Sequence, residues 1–353
     1  MHEAVMGGVW GGVWGGVWKW RRAAVLAIVM ALALVLSGPA RAEQNEVRIA
    51  IQYGIGYLPL HVVRHLKLLE QEAAKRGLPD LAVTWTNLGG GSAMNDGLLS
   101  GSLDLVSGGV GAFVTIWAKT RGSLDVRGVA SLNALPIYLV TNNPNVVSLK
   151  DLTDQDKIAL PAVGVSIQAV TLQMAAEQAF GPGHYQDLDQ FTVTMKHPDA
   201  LSALLSKGAG ITGHFGGPPF QEQELAAPGT HRLLSSYDVL GGPATFNSVW
   251  TTAAFRDRNP RIYAAFLAAL RQAIDLINRD PDEATRIYLA EDESRLEPAF
   301  VRRLITSPDA RFTTTPLNIL KYVSFMHKTG AIKVGAQSWK DLFFPEIQDE
   351  PGS

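Results

Sequence analysis

Cysteine is absent from the whole 353-residue chain. Disulfides, iron–sulfur clusters, thiolate zinc sites and cysteine nucleophiles are therefore excluded. A mature chain without cysteine also cannot carry a bacterial lipoprotein anchor, and it suits an oxidising compartment without requiring one. An excess of charge is missing too: 31 Lys and Arg stand against 33 Asp and Glu, a formal net charge of −2. Residues 1–42 hold Lys19, Arg21, Arg22 and Arg41 against Glu3, so the remainder carries five net negative charges. A general nucleic-acid binder shows the opposite balance. Catalytic signatures are scarce as well. There is no Gly-x-Ser-x-Gly elbow and no Walker loop, and Gly108-Gly109-Val110-Gly111 is a poor dinucleotide fingerprint. With no catalytic constellation in view, we read the chain as a non-enzyme and expect no cofactor and no metal site.

Long apolar runs are limited to one. Ala23–Leu36 is uncharged but too short to span a bilayer comfortably. It follows Lys19, Arg21 and Arg22, and precedes Gly38-Pro39 and Ala40-Arg41-Ala42, a small-x-small cleavage pattern. Residues 1–42 thus read as a secretory signal cleaved near Ala42, with Glu43 as the mature start. Gly-Gly-Val-Trp occurs three times within residues 7–18. A solenoid needs longer units, so this tract is excluded from fold reasoning. Hydrophobic residues make up 46% of the chain and charged residues 18%, enough for a substantial core.

The mature chain alternates strand and helix signals. Val47–Ile51 reads as a strand, residues 58–76 as one helix stopped at Gly77, and Ala82–Asn87 as a second strand. Ser92 is the expected N-cap of a helix through Leu99. Leu103–Val106 and Val126–Leu132 are further strands around another helix. Such a βαβ order implies a mainly parallel sheet flanked by helices, whose ligands bind at the carboxyl ends of the strands. Those ends are Gln52–Tyr57, Leu88–Ser92 and Ser107–Val110, all rich in glycine, as close backbone approach requires. The pattern then restarts. Ile137–Thr141, Lys157–Leu160, Phe191–Met195 and Arg232–Ser235 are strands, and Val163–Ser166 opens a helix running to Phe180. After an extended stretch from Phe246 to Ala254 the chain reads as helical to its end. Helices are expected to start at Asn259-Pro260, Asp280-Pro281 and Thr315-Pro316.

These segments resemble the nitrate/taurine-type (sulfonate- or thiamine-precursor-type) periplasmic substrate-binding proteins of ABC importers. The resemblance rests on Tyr57-Leu58-Pro59-Leu60, Gly89-Gly90-Gly91-Ser92, Leu99-Ser100-Gly101-Ser102-Leu103-Asp104 and Ser148-Leu149-Lys150-Asp151-Leu152. His214-Phe215, Pro218-Pro219-Phe220 and Asn259-Pro260 complete it, and the match covers nearly all of residues 46–348. It implies an α/β, type II periplasmic-binding-protein fold of two lobes joined by two crossovers, near Asn133–Pro136 and Gly241–Thr245. Residues 43–134 and 244–348 would form lobe one, residues 135–243 lobe two, and residues 349–353 a tail. It further implies a monomer in the periplasm that closes on a small molecule and delivers it to an ABC permease with its ATPase. Many relatives have an acidic residue and alanine where this chain has Gly213-His214, which leaves the ligand class open. A small organic anion such as a sulfonate or taurine is the first reading. A pyrimidine, thiamine precursor or aromatic acid is the second. An enzyme like the yeast-type pyrimidine synthase is disfavoured by the lack of cysteine. A receptor's sensing domain would need a further membrane or signalling segment.

Candidate ligand residues follow from the strand ends. Gly90, Gly91 and Ser92 form an anion cradle or an ordinary capped loop. Gly109 and Val110 lie at the third strand end. Ser166 and Gln168 open a matching helix in lobe two. Tyr57 packs on ligand or is half-buried structure. His214 is a ligand donor with a titratable ring or a structural histidine. Phe215, Phe246 and Trp250 form an aromatic wall or belong to the core. Asn133 bonds ligand or hinge backbone. Arg48, Arg127 and Asp104 are expected to pair structurally.

Overall fold

The computed structural model describes Met1, residues 43–206 and residues 210–353. The expected leader and its Gly-Gly-Val-Trp tract, residues 2–42, lie outside the described residues. From residue 43 the chain opens with β1 (Glu46–Ile51), α1 (Leu58–His65) and α2 (Leu68–Lys75). The single helix expected over residues 58–76 is broken at Lys67, which takes a left-handed conformation (φ 51°, ψ 40°). The break resets the helical phase so that Leu68 and Leu69 both enter the core. Then come β2 (Ala82–Asn87), α3 (Gly91–Leu99), β3 (Leu105–Gly109), α4 (Val110–Lys119) and β4 (Arg127–Ala134).

The chain crosses to a second sheet through Leu135–Ile137. There it forms β5 (Tyr138–Thr141), β6 (Ile158–Leu160), α5 (Ile167–Phe180), β7 (Thr192–Thr194) and α6 (His197–Leu205). Next are β8 (Gly213–Gly216), α7 (Phe220–Leu225), β9 (His231–Ser235) and α8 (Ser236–Leu240). It returns through residues 241–244 to β10 (Thr245–Thr251), α9 (Ala253–Arg258) and α10 (Pro260–Arg279). The end of the chain adds α11 (Pro281–Glu291), α12 (Pro298–Ile305), β11 (Arg311–Phe312) and α13 (Ile319–Lys328). Two sequence expectations fail here. The terminal helices are interrupted by β11, and Thr315-Pro316 lies in a loop, with helix starting only at Ile319.

Each lobe is built on one mixed sheet. The first has strand order β11-β4-β10-β3-β1-β2 and the second β7-β6-β8-β5-β9. In the first sheet β1 pairs in parallel with β2 and β3, while β10 runs antiparallel between β3 and β4. In the second, β6 is parallel to β7 and β8, and β5 is antiparallel to β8 and β9. This is the two-lobed α/β arrangement in which the middle of the sequence builds one sheet and its two flanks build the other.

The expected structural ion pairs form. Arg48 grips Asp104 with both Nε and Nη2 at 2.9 Å, and its backbone N–H adds a third bond to the same carboxylate. The Asp104 side chain is buried, so the pair locks the start of β3 to β1. Arg127 bonds Asp125. Helix α10 puts Ile262, Phe266, Ala269, Ala273 and Ile277 on its buried face, the period an amphipathic helix on a sheet requires.

Candidate functional site

The carboxyl ends of the parallel strands of both sheets point toward one another, and a narrow cleft lies between them. From the first lobe it is lined by Gln52, Tyr57, Gly91, Gly109, Phe246 and Asn247, with Ala112 behind. Pro161, Ser166, Ile167, Gln168 and His197 line it from the second. No lining residue is charged as Lys, Arg, Asp or Glu. The space between them is about 20 Å³, room for roughly one water molecule. The lobes are closed in this conformation.

The glycines show how tightly. A Cβ on Gly90 would sit 2.6 Å from the Pro161 carbonyl oxygen, and one on Gly109 would sit 2.6 Å from the Ile167 side chain. Both contacts cross from one lobe to the other. Ile55 N–H also donates to Pro218 O at 3.0 Å. Across the same divide, the Thr171 and Tyr322 hydroxyls meet at 3.2 Å between α5 and α13, both buried. Helix α5 packs on α4 and α13 of the first lobe, which explains why residues Ile167–Ala176 are buried on almost every face. Gly91 differs: a Cβ there would strike Ala112 Cβ, within the first lobe. Substitution there disturbs helix packing rather than lobe closure.

Three helices begin at the cleft. N-cap Gly90 precedes α3 and N-cap Gly109 precedes α4, and neither supplies a capping side chain. N-cap Ser166 precedes α5 and accepts from Ala169 N–H at 3.2 Å. Helix starts present unbonded N–H groups and positive dipole ends, so their convergence favours an anion. Two side-chain amides add donors. Asn247 takes a 3.3 Å bond from the Tyr57 hydroxyl on its Oδ1, while its buried Nδ2 has no partner. Gln52 Nε2 reaches Ser107 O at 3.3 Å. Burial pushes the Tyr57 phenol far above its ordinary range, so it stays a neutral donor.

Behind the cleft wall runs a buried chain. Gln168 Nε2 lies 3.5 Å from His197 Nε2, His197 Nδ1 lies 2.7 Å from His214 Nε2, and His214 Nδ1 lies 2.5 Å from Glu224 Oε1. The His214 and Glu224 side chains are 0% exposed. Burial lowers both imidazoles, His214 to about 3, and raises Glu224 to about 9. The close His214–Glu224 contact therefore joins two uncharged groups, not an ion pair. Glu224 Oε2 has no partner, which a buried carboxylate would not tolerate but a neutral acid can.

The sequence candidates divide in space. Tyr57, Gly91, Gly109, Ser166 and Gln168 line the cleft, and Gly90 closes its edge. The others stand back from it. Ser92 is exposed and is the second residue of α3, whose N-cap is Gly90 instead. Val110 is buried in the core. Asn133 lies within β4 and donates from Nδ2 to Gly56 O at 2.5 Å, holding the turn that carries Tyr57. Phe215 is fully buried in the main core. Trp250 is also fully buried, stacks on Phe113 at 5.5 Å and donates to Asn95. Neither of these two aromatics forms a cleft wall; Phe246 does. His214 is not at a strand end but inside β8, paired with Val140, one step behind His197.

Sequence reasoning missed His197, Pro161 and Asn247. Asn247 sits at the start of an antiparallel strand opposite Gly109, so the carboxyl-end rule does not find it. His197 opens α6 directly after β7, and its place after a parallel strand is the signal that points to it. The expectation that no two histidines stand at the His-x₃-His spacing of a helical metal pair fails at one place. His61 and His65 stand four apart on α1, as metal pairs on helices do. Here His61 packs edge-on to Tyr288 and His65 bonds Glu291 at 2.9 Å. No cluster of three metal-ligating side chains occurs among the described residues. No described helix is long and apolar enough to cross a membrane.

A larger hollow of about 620 Å³ lies between α2, α9 and α10, beside Arg76, Arg256 and Arg271. It is open, lies at no strand end, and Arg256 and Arg271 are already bonded to Glu346 and Glu350. We place the candidate site in the cleft, where unbonded donors converge.

No family model matches the sequence. No curated protein is similar to it in sequence. Solved structures do match in fold. The alkanesulfonate-binding protein SsuA of Xanthomonas axonopodis pv. citri, bound to MOPS, aligns with a TM-score of 0.64 at 18% identity, over 82% of this chain and 92% of its own. The aliphatic sulphonate-binding protein SsuA of Escherichia coli gives 0.60 at 17%, over 85% and 99%. The nitrate-binding protein NrtA of Synechocystis PCC 6803 gives 0.64 at 14%, over 82% and 83%. The chain thus has the fold of these periplasmic binding proteins.

Proposed function

We propose that this chain is the solute-binding component of an ABC importer, capturing a small anion between its lobes in the periplasm. It is not an enzyme in this reading. The observation that carries the proposal is the convergence of three helix starts and an unpartnered Asn247 amide on a cleft without charged side chains. Such a site compensates a negative charge with fixed dipoles and neutral donors. The relatives in fold bind sulfonates and nitrate, which supports the same ligand class here, with an organic sulfonate such as taurine as first choice. A ligand larger than one water requires the cleft to widen around it, with the lobes still meeting at the rim where Gly90 faces Pro161. Capture therefore proceeds as an equilibrium between open and closed lobes that ligand biases toward closure. The closed surface would dock on the permease.

Micromolar binding corresponds to about −8 kcal/mol, within reach of a few charge-assisted hydrogen bonds. The test is a thermal-shift screen of the mature protein with nitrate, methanesulfonate, taurine, pyrimidines and aromatic carboxylates. At 100 times its dissociation constant a true ligand stabilises by about 2.7 kcal/mol. Stabilisation by sulfonates or nitrate supports the proposal. Stabilisation by pyrimidines alone overturns the anion assignment.

A further inference from the structure

We propose that Glu224, His214 and His197 form a proton wire that sets the polarity of the cleft, so that the site accepts its anion together with a proton. The proposal rests on the anion reading above and specifies how that site is regulated. The three side chains come from α7, β8 and α6, and they line up without a gap at 2.5 and 2.7 Å. One end is sealed in the second lobe at Glu224. The other, His197, lines the cleft beside Gln168.

The hydrogen bonds admit two self-consistent arrangements. In the first, Glu224 is ionised and accepts from His214 Nδ1–H. His214 Nε2 accepts from His197 Nδ1–H, and His197 Nε2 accepts from Gln168. The chain then carries one negative charge, and one Gln168 N–H is taken up by His197. In the second, a proton has entered at His197 Nε2. The Nδ1 proton of His197 passes to His214 Nε2, and the Nδ1 proton of His214 passes to Glu224 Oε1. One proton is gained, each ring changes tautomer, and every member is neutral. His197 Nε2–H and the Gln168 amide now stand 3.5 Å apart as two free donors at the cleft, a pair that one anion oxygen can bridge.

Burial favours the second, neutral arrangement, and the unpartnered Glu224 Oε2 agrees with it. Other groups face the chain. Glu222 on α7 is pushed up to about 7 by burial and repelled by Glu224. Tyr138 and Arg232 lie beside Glu222, with Arg232 5.0 Å over the Tyr138 ring. Lys196 and Asp199 flank His197 in sequence, and the Phe220 ring stacks on His197 at 5.5 Å. From α5 and the first lobe the cleft presents Gln168, Tyr57, Gln52 and Asn247, all neutral. Among the described residues no Lys or Arg pairs with Glu224 to hold it ionised.

The experiment uses the mature protein with methanesulfonate, which does not titrate near neutrality, and measures affinity from pH 6 to 10.5 by calorimetry. The wire predicts a plateau, then a fall approaching tenfold per pH unit once Glu224 ionises, with proton uptake rising toward one per anion. In Glu224→Gln the amide donates permanently to His214, so the profile is flat whatever its level. Glu222→Gln keeps the fall. In parallel, ring ¹⁵N shifts of the ligand-free protein read the tautomers of His197 and His214 directly. Both switch from Nε2–H to Nδ1–H together as pH rises, and neither switches in Glu224→Gln. A profile unaffected by Glu224→Gln, or rings that keep one tautomer throughout, overturns the wire. Absence of anion binding at any pH with the concerted tautomer switch intact instead overturns the anion assignment and leaves the wire standing.

Discussion

Gly90→Ser separates lobe closure from folding. Gly90 has extended backbone (φ −176°, ψ 166°), which any residue adopts, so serine introduces no backbone strain. It also occupies the N-cap of α3, where serine is at least as good as glycine. The first lobe should therefore fold as before. The new Cβ, however, meets the Pro161 carbonyl oxygen at 2.6 Å, whereas ordinary contacts begin near 3.4 Å. A backbone carbonyl cannot swing aside, so the closed lobes must part by most of an ångström or absorb the clash. Overpacking of this size costs about 1 to 3 kcal/mol, and here the whole penalty falls on the closed state. Affinity for methanesulfonate should drop roughly 5- to 150-fold, while the thermal midpoint of the free protein changes little. Small-angle scattering should show a larger mean radius for the variant at ligand concentrations that close the parent. An unchanged affinity and an unchanged scattering curve would mean that the lobes do not meet at Gly90 in the ligand-binding form, and the closure argument would be wrong.

Other changes probe other links. Tyr322→Phe removes the buried hydroxyl contact with Thr171 across the lobes and should weaken ligand binding about fivefold, near 1 kcal/mol; calorimetry that finds no change would remove α13 from the closure surface. Glu72, bonded by Lys75, by Arg76 and by Gln272 of α10 at 2.8 Å, is held down to about 2 by those bonds. A depressed carboxylate contributes stability above its unfolded value near 4.5 and loses it as pH falls through about 2. Glu72→Gln should cost about 1 to 2 kcal/mol at pH 7, discounted for exposed Lys75, with the cost shrinking as pH falls toward 2 and vanishing below it, as thermal midpoints across pH would show. Asp104→Ala strips Arg48 of all three hydrogen bonds and should cost about 2 to 3 kcal/mol in urea unfolding; a loss below 0.5 kcal/mol would show that the pair does not lock β3 to β1.

The layout of the fold was legible because periodicity and glycine breaks are local. Val47–Ile51 and Ala82–Asn87 stand as strands, and Asn259-Pro260 does open the long amphipathic α10. What local reasoning misplaced was decided by tertiary context. Lys67 adopts a left-handed conformation because burying both Leu68 and Leu69 outweighs one strained residue of about 1 to 2 kcal/mol. Ser92 lost its capping role to Gly90 because the helix begins two residues early, where Gly91 must lie against Ala112.

The glycine-rich strand ends led to the cleft, yet for a reason only half of which the sequence contains. Glycine at a strand end permits close approach, and the expected visitor was a ligand. In the structure the nearest visitors to Gly90 and Gly109 are Pro161 and Ile167 of the other lobe. The same absence of Cβ that would let an anion reach the helix starts also lets the lobes shut over them. The histidines show the limit more sharply. His214 drew attention as a titratable ring in a glycine-rich segment, but its consequence depends on His197, seventeen residues earlier, and on Glu224, ten later. No spacing rule joins a helix start, a mid-strand residue and a short helix. Only the parallel pairing of β6 with β7 and β8 brings α6 beside β8 and puts the two rings at 2.7 Å. A residue chosen for its own chemistry thus proved to be the middle of a chain, and the end of the chain that meets the cleft belongs to the histidine that local pattern left unremarked.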